Sequence, residues 1–443
     1  MSPLNKKQAA IETRFKFANQ VFIAFSGGLD SHVLLHLCAA SRIIKHKITT
    51  IYINHGLQKE SDSWALHCEE IAKNLSVAYQ SISVDARPKT GESPEAAARQ
   101  VRYEALGKLL EKDDVLLLGQ HREDQLETFL LQLFRGAGLT GLAAMPEKAA
   151  IGKGQLFRPL LDVSQQEIKA YALEQHLNWI EDPSNLENDF DRNFLRNEIV
   201  PLLKTRWSSL DKTIFRSARH CAQAQQFINK QSKNLLLEAY SDQDLTLSIT
   251  AIKKLDDYEL MLVIRQWLQK LGQIMPSEQR LRQIVEEVIF VRQDSNPELK
   301  IGIYTIRKFN DKLVCLPKLP EIDTRESYVW QPGQSALDLK NNGNLRIIKA
   351  PSGISAEQWQ NTAQIEIKYR QGGESIYLQG REGQHKLKKL FQEALIPPWE
   401  REKIPLLFLD GKLAIVGNNW ISSEFYVAQG DCVTLLWLND EVR

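Results

Sequence analysis

Asp124 and Glu127 stand three apart in HREDQLETF, the spacing that puts two side chains on one face of a helix. Two carboxylates so placed can hold an ammonium group and keep or remove its proton. Arg99 and Arg102 repeat the spacing with the opposite charge and could clamp a phosphate through two-pronged hydrogen bonds. Arg192, Asn193 and Arg196 in DRNFLRNE follow the same logic. Taken singly, each pattern also suits a plain solvated helix face, as with Asp124 and Glu127 beside Arg122.

A second kind of chemistry belongs to SGGLDS, residues Ser26, Gly27, Gly28, Leu29, Asp30 and Ser31. It separates the apolar run VFIAF from an apolar-periodic helix, and a glycine turn there gathers backbone N–H groups around an anion. The lysine of the GxxxxGK[ST] phosphate loop is missing. Backbone donors, hydroxyls and the helix dipole then suit gripping pyrophosphate as a leaving group better than moving a terminal phosphate. Asp30 could help hold Mg2+, which prefers carboxylate plus phosphate oxygens. Gly-Gly-Leu-Asp is equally ordinary turn chemistry, so the hexapeptide alone leaves both readings open.

The elements around these residues alternate. VFIAF, ITTIYINH, VAYQSISV and DVLLLGQH read as strands, and helical patterns separate them. One of these, SPEAAARQVRYEALGKLLEK, carries Ser93 as its cap and Pro94 in its first turn. Repeated β-α units predict an α/β domain, a parallel sheet with helices on both faces, over residues 1–207. Its ligand belongs in the crevice beyond the carboxyl ends of the strands. Ser26, His55 and His121 all follow strand ends and should converge there, His121 as the better catalytic candidate and neither histidine as a metal ligand. Residues 208–300 read as a helical domain, and residues 301–443 as a β-rich C-terminal region with one helix, HKLKKLFQEA.

A chain of 443 residues exceeds one ordinary core. Its net charge of +1 means that nucleic-acid contacts would come from local basic patches. Arg370, Lys386, Lys388, Lys389 and Arg401 with Trp399 could form one, although lysines on helices are commonly just solvated. The five cysteines include no C-x-x-C pair, so zinc, iron–sulfur and dithiol sites lack support. No leader-like segment or membrane-spanning run is present. A reduced cytoplasmic protein without membrane contact is the expectation.

SGGLDS at the end of a first strand resembles the pyrophosphate-releasing loop of the N-type ATP pyrophosphatases. Within that superfamily, INHGLQ, EAAARQVRYEAL, GQHREDQLETFLLQLFRGAG and EDPSNLENDFDRNFLRNEIVPLL resemble motifs of the tRNA(Ile)-lysidine synthetases, as do YRQGGE and LKKLFQEALIPPWEREKIPLLF near the C-terminus. In the family's G-H-H-x-D-D-Q-x-E-T segment, Gln120 replaces the first His and Glu123 the first Asp. Gln58 stands where an arginine is usual.

The resemblance implies ATP and Mg2+ as cofactors, and free L-lysine and a tRNA(Ile) with a CAU anticodon as partners, with a homodimer allowed. It implies adenylation of C2 of the wobble cytidine, attack by lysine and release of AMP, so that the tRNA reads AUA. Ser26 to Ser31 with His55 would serve the nucleotide, and Asp124 and Glu127 would position the lysine. Arg99, Arg102 and His121 complete the implied catalytic set. Arg192, Asn193, Arg196, Lys388, Lys389, Trp399 and Arg401 would bind substrate. A tRNA cytidine thiolase with the same loop is the rival enzyme, although such enzymes usually depend on a C-x-x-C that this chain lacks. A non-catalytic tRNA-binding adaptor is the rival from another class.

Overall fold

The apolar run at Val21 forms one of the two middle strands of a six-stranded sheet. In the computed structural model, residues 3–56, 60–85, 87, 94–292, 295–318, 321–331 and 333–439 are described; Gln58 and the cap expected at Ser93 lie outside them. The chain divides into two units, residues 1–230 and 231–443.

The first unit begins with α1 (Pro3–Phe15), β1 (Val21–Ala24), α2 (Leu29–Ala39), β2 (Ile48–Asn54), α3 (Ser61–Asn74) and β3 (Ala78–Ser83). It continues through α4 (Pro94–Leu109), β4 (Val115–Leu117), α5 (Arg122–Phe134) and α6 (Leu139–Leu142). Next come β5 (Lys148–Ile151), β6 (Gly154–Phe157) and α7 (Gln165–Glu174). Then follow α8 (Asp191–Phe194), a π-helical turn (Leu195–Ile199), α9 (Val200–Arg206) and α10 (Leu210–Ala239), whose last residues belong to the second unit.

The strand order is β3-β2-β1-β4-β6-β5. All neighbours run parallel except the hairpin pair β5 and β6. Chain order reverses between β1 and β4, the topological switch point where such sheets bind ligands. Both faces are covered, as alternating β-α units require. On one face Leu4, Phe15, Leu34, Leu37, Ile168 and Tyr171 pack against Val21, Ile23 and Phe25. On the other, Leu106 of α4 and Leu110 just after it cover Ile51, Ile53 and Leu116.

The hairpin extends the sheet beyond the strands expected from the sequence. KAAIGKGQLF has only short apolar stretches, and its turn works because Gly152 sits at φ +53 against α4. A Cβ there would stand 1.9 Å from the Gly107 carbonyl oxygen.

In the second unit the helical stretch carries a sheet of its own. Strands Tyr240–Ser241, Thr246–Ser248, Lys312–Pro317, Tyr304–Phe309 and Glu298–Ile301 lie side by side in that order. Leu247, Ile306 and Leu313 share one core with Ile264, Trp267 and Leu281 of the helices. Farther on, two five-stranded sheets enclose Trp330, Leu345, Ile367, Leu407 and Leu435. The expected helix near the C-terminus is Leu387–Glu393, and its Leu390 and Phe391 pack with Leu406 and Val416. Among the described residues no helix is long and apolar enough to cross a membrane.

Candidate active site

The phosphate loop leaves β1 and enters α2 through Gly27, at φ +81. That φ strains any residue with a side chain, and a Cβ on Gly27 would also stand 2.6 Å from Ile180 Cδ1. Ser31 Oγ donates to the Gly28 carbonyl at 2.9 Å and accepts from the Ser26 amide at 3.3 Å. The Ser26 and Ser31 hydroxyls lie 3.2 Å apart. Gly28 is the N-cap of α2 and Leu29 its first residue, so the positive end of the helix dipole faces the turn. Asp30 Oδ1 is buried without a hydrogen-bond partner. From the next strand, Gly119 presses on this loop: a Cβ there would lie 2.9 Å from the Asp30 carbonyl.

His121 ends the β4 connection and caps α5. It is 2% exposed, with Nε2 3.6 Å from both Asp30 Oδ2 and Asp124 Oδ2 and Nδ1 3.2 Å from Glu123 Oε2. Burial alone would discharge the ring, but Asp124, Asp30 and Glu123 outweigh it and hold its pKa well above 6.5. Burial likewise works against the Glu123 charge, yet His121, the Gln165 amide and Lys204 bring its pKa down to about 2.

The paired carboxylates are gripped from α8 and the π-helical turn that follows it. Arg196 sends Nε to Glu127 Oε1 at 2.6 Å and Nη2 to Glu127 Oε2 at 2.8 Å and Asp124 Oδ1 at 3.1 Å. Arg192 Nε lies 3.4 Å from Glu127 Oε2, and its Nη2 donates to Thr128 Oγ1 at 2.9 Å. Glu127 is 2% exposed; burial pushes its pKa up, and the two arginines only partly offset that. Leu126, Leu130, Leu195 and Val200 form the apolar joint that brings the two helical segments together.

A basic group faces the same strand ends from α4. Arg99 and Arg102 lie 5.4 and 5.8 Å from the Tyr103 ring centre. His55 is close enough to Arg102 for that charge, after burial, to lower its pKa, and its Nδ1 is buried without a hydrogen-bond partner.

Arg158, 4% exposed, was not singled out in the sequence. It donates from Nη1 to the Pro146 carbonyl at 2.7 Å, from Nη2 to Tyr103 Oη at 3.4 Å, and from Nε to Gln120 Oε1. Its signal was an arginine directly after the apolar QLF, the place that Ser26 and His121 occupy on their strands. Gln120 is thus tied to Arg158, and Glu123 accepts from the Gln165 amide at 2.9 Å. Both unusual residues are bound into the scaffold.

The remaining expected residues have contacts of their own. Asn193 donates to the Ser184 and Glu187 carbonyls at 2.9 and 2.8 Å, bracing the loop before α8. In the second unit Lys388 and Lys389 are exposed, with Lys389 4.0 Å from Glu393. Trp399 packs edge-on to Phe309 at 5.7 Å under the Arg307 guanidinium at 5.2 Å. Arg401 Nε donates to the Ile396 carbonyl at 2.7 Å. Among the described residues no cluster of three or more His, Cys, Asp or Glu could hold a metal ion alone.

Residues 3–203 match the PP-loop domain family. Residues 247–314 match the TilS substrate binding domain, and residues 365–437 the TilS substrate C-terminal domain. The chain is similar to the tRNA(Ile)-lysidine synthase of Methylococcus capsulatus, 41% identical over 91% of this chain and 92% of that one. It is 37% identical to the same enzyme of Coxiella burnetii over 92% of this chain and 90% of that one. For Pectobacterium atrosepticum the identity is 36% over 95% and 94%. A phosphate loop at a sheet switch point, flanked by a carboxylate pair and matched along its length by such relatives, places this chain in the tRNA(Ile)-lysidine synthase family.

Proposed function

We propose that the crevice joins free L-lysine to C2 of the wobble cytidine of a CAU-anticodon tRNA(Ile) through an adenylated intermediate. In the first step the C2 oxygen attacks the α-phosphorus of ATP, and the bond to pyrophosphate breaks. In the second the lysine ε-amine forms a bond to C2 and gives up a proton, and the C2–O bond breaks to release AMP.

The observation that carries this reading is one imidazole spanning two halves of a site. His121 lies 3.6 Å from Asp30 on the phosphate loop and equally far from Asp124 of the carboxylate pair. The groups proposed to grip phosphate and to hold the amine are therefore joined by a single side chain, which suits a two-step reaction.

Ser26, Gly27, Gly28 and Ser31 would cradle the phosphates at the α2 N-terminus. The buried, unpartnered Asp30 Oδ1 suits a divalent cation, and Mg2+ is bound by one or two carboxylates with substrate phosphates. Mg2+ bound there would neutralise phosphate charge and help pyrophosphate leave. Asp124 and Glu127 would seat the ε-ammonium. The upward push on the Glu127 pKa suits it to accept the amine's proton. Arg99 and Arg102 would steady the adenylate or the RNA, and Lys388, Lys389 and Arg401 the tRNA.

The test is transfer of radiolabelled lysine into unmodified tRNA(Ile) with a CAU anticodon, using ATP and Mg2+, with elongator tRNA(Met) as control. Label in the isoleucine tRNA alone is expected. Pyrophosphate release without label would keep adenylation and reject lysine as the nucleophile.

A further inference from the structure

The carboxylates assigned to lysine already have a cation on them. Arg196 fills both oxygens of Glu127 and Oδ1 of Asp124, while Asp124 Oδ2 accepts from the His121 amide at 3.0 Å. A lysine ammonium brings three further donors to these oxygens. Two cations crowded onto one largely buried pair would repel each other in a low-dielectric setting.

Of the two arginines present, Arg196 is the one built to move. Its side chain is 33% exposed against 19% for Arg192, and Arg192 is also anchored to Thr128. Arg196 belongs to the π-helical turn Leu195–Ile199, a helix irregularity frequent at functional sites. Its partner Asp124 stands 3.6 Å from His121 Nε2, which is equally far from Asp30 Oδ2, so a short chain of side chains links Arg196 to the phosphate loop. A guanidinium fork matches phosphate as well as it matches carboxylate.

We propose that Arg196 is a two-position residue, holding Glu127 and Asp124 in one state and the nucleotide's phosphate in the other, so that ATP binding opens the lysine seat. This rests on the reading that Asp124 and Glu127 hold the lysine. ATP offers Arg196 a new counter-ion, and lysine takes the oxygens it leaves. The two substrates then bind cooperatively, each tightening the other by the same factor. Lysine attack is thereby held back until there is a nucleotide to attack beside.

The test is equilibrium dialysis of radiolabelled lysine against the full chain, with and without α,β-methylene-ATP and Mg2+; that analogue cannot release pyrophosphate. In the wild type the nucleotide should tighten lysine about five-fold or more. In Arg196→Gln lysine should bind at the tight value in both conditions, a result that loss of a merely structural ion pair would not give. Arg196→Lys, which keeps the charge without the fork, should show intermediate coupling, and it carries the test if Arg196→Gln does not unfold cooperatively. Coupling that persists in Arg196→Gln, or that is absent from the wild type, overturns the proposal. Failure of the underlying reading looks different: Glu127→Gln would then bind lysine as tightly as the wild type, or no variant would bind it in any state, and the exchange would fall with its seat.

Discussion

His121 Nε2 lies 3.6 Å from Asp30 Oδ2, so one imidazole ties the end of β4 to the phosphate loop that follows β1. The contact crosses the switch point of the sheet and, with His121 equally far from Asp124, links the loop to the carboxylate pair. It is an ion pair only while the ring is charged, and that gives it a pH signature.

The His121 pKa is raised in the folded chain above its ordinary 6.5, where Asp124, Asp30 and Glu123 overcome burial. A raised pKa contributes stability that is fully present below 6.5 and is lost as pH climbs through the folded value. Glu123 works in the other direction: its contribution is present above 4.5 and is lost as pH falls through about 2. Thermal unfolding followed from pH about 6 upward should therefore show a decline in the wild type that His121→Gln lacks. An unchanged alkaline decline in the variant would place the titrating group elsewhere.

Glu127 is 2% exposed and its carboxylate is satisfied by arginines. Removing one partner of a buried ion pair leaves the other uncompensated, at about 3–5 kcal/mol, less where one partner reaches solvent as Arg196 does. Because burial already raises the Glu127 pKa against the arginines, Glu127→Gln removes a charge that is itself disfavoured and should cost well under that range, about 1 kcal/mol or less by chemical denaturation. Glu127→Gln with Arg196→Met should lose less than the sum of the single changes, because the pair is removed together. Strict additivity would show that the two side chains are not coupled.

How much of this was legible in the sequence depends on how local the signal is. SGGLDS and the i, i+3 carboxylates are signalled by adjacent residues, and the structure brings Asp30 and Asp124 each within 3.6 Å of His121. What holds them was not legible, because it is tertiary. Arg196 meets Glu127 across 69 residues and Arg158 meets Gln120 across 38, separations that no helical or strand period encodes. The β5–β6 hairpin was missed because its strands are four residues each and its turn depends on contact with Gly107. The short strands at Tyr240–Ser241 and Thr246–Ser248 were hidden among helices for the same reason.

Gly119 illustrates a constraint of that kind. A Cβ there would lie 2.9 Å from the Asp30 carbonyl carbon and oxygen. Backbone cannot step aside as a side-chain tip can, so Gly119→Ala should cost about 1–3 kcal/mol and displace the phosphate loop. The expected result is a raised KM for ATP with the KM for lysine much less affected. A variant with normal ATP kinetics would show that the loop tolerates the shift.

Asp30→Asn keeps the shape of the side chain and removes its charge, leaving the buried Oδ1 position a weaker ligand for a hard cation. Pyrophosphate release with tRNA and ATP should fall about a hundred-fold, in line with loss of a group that stabilises developing phosphate charge. Raising Mg2+ should recover part of the loss. Full activity at ordinary Mg2+ would remove Asp30 from the metal assignment.

The second unit separates two kinds of residue that looked alike in the sequence. Lys388 and Lys389 are exposed on Leu387–Glu393, whereas Trp399 is packed between Phe309 and Arg307. Exposed lysines that touch phosphate should act through counterion release. Lys388→Gln with Lys389→Gln should then weaken tRNA binding and lower the slope of log affinity against log salt by about one for each phosphate no longer neutralised. ATP binding and thermal stability should not change. Trp399→Ala should instead lower stability, by about 1–3 kcal/mol through weaker aromatic and cation–π packing, while the salt slope stays near the wild-type value. A tRNA salt slope unchanged by the double lysine variant would show that this face is solvated surface, and that RNA binds through another face of the chain.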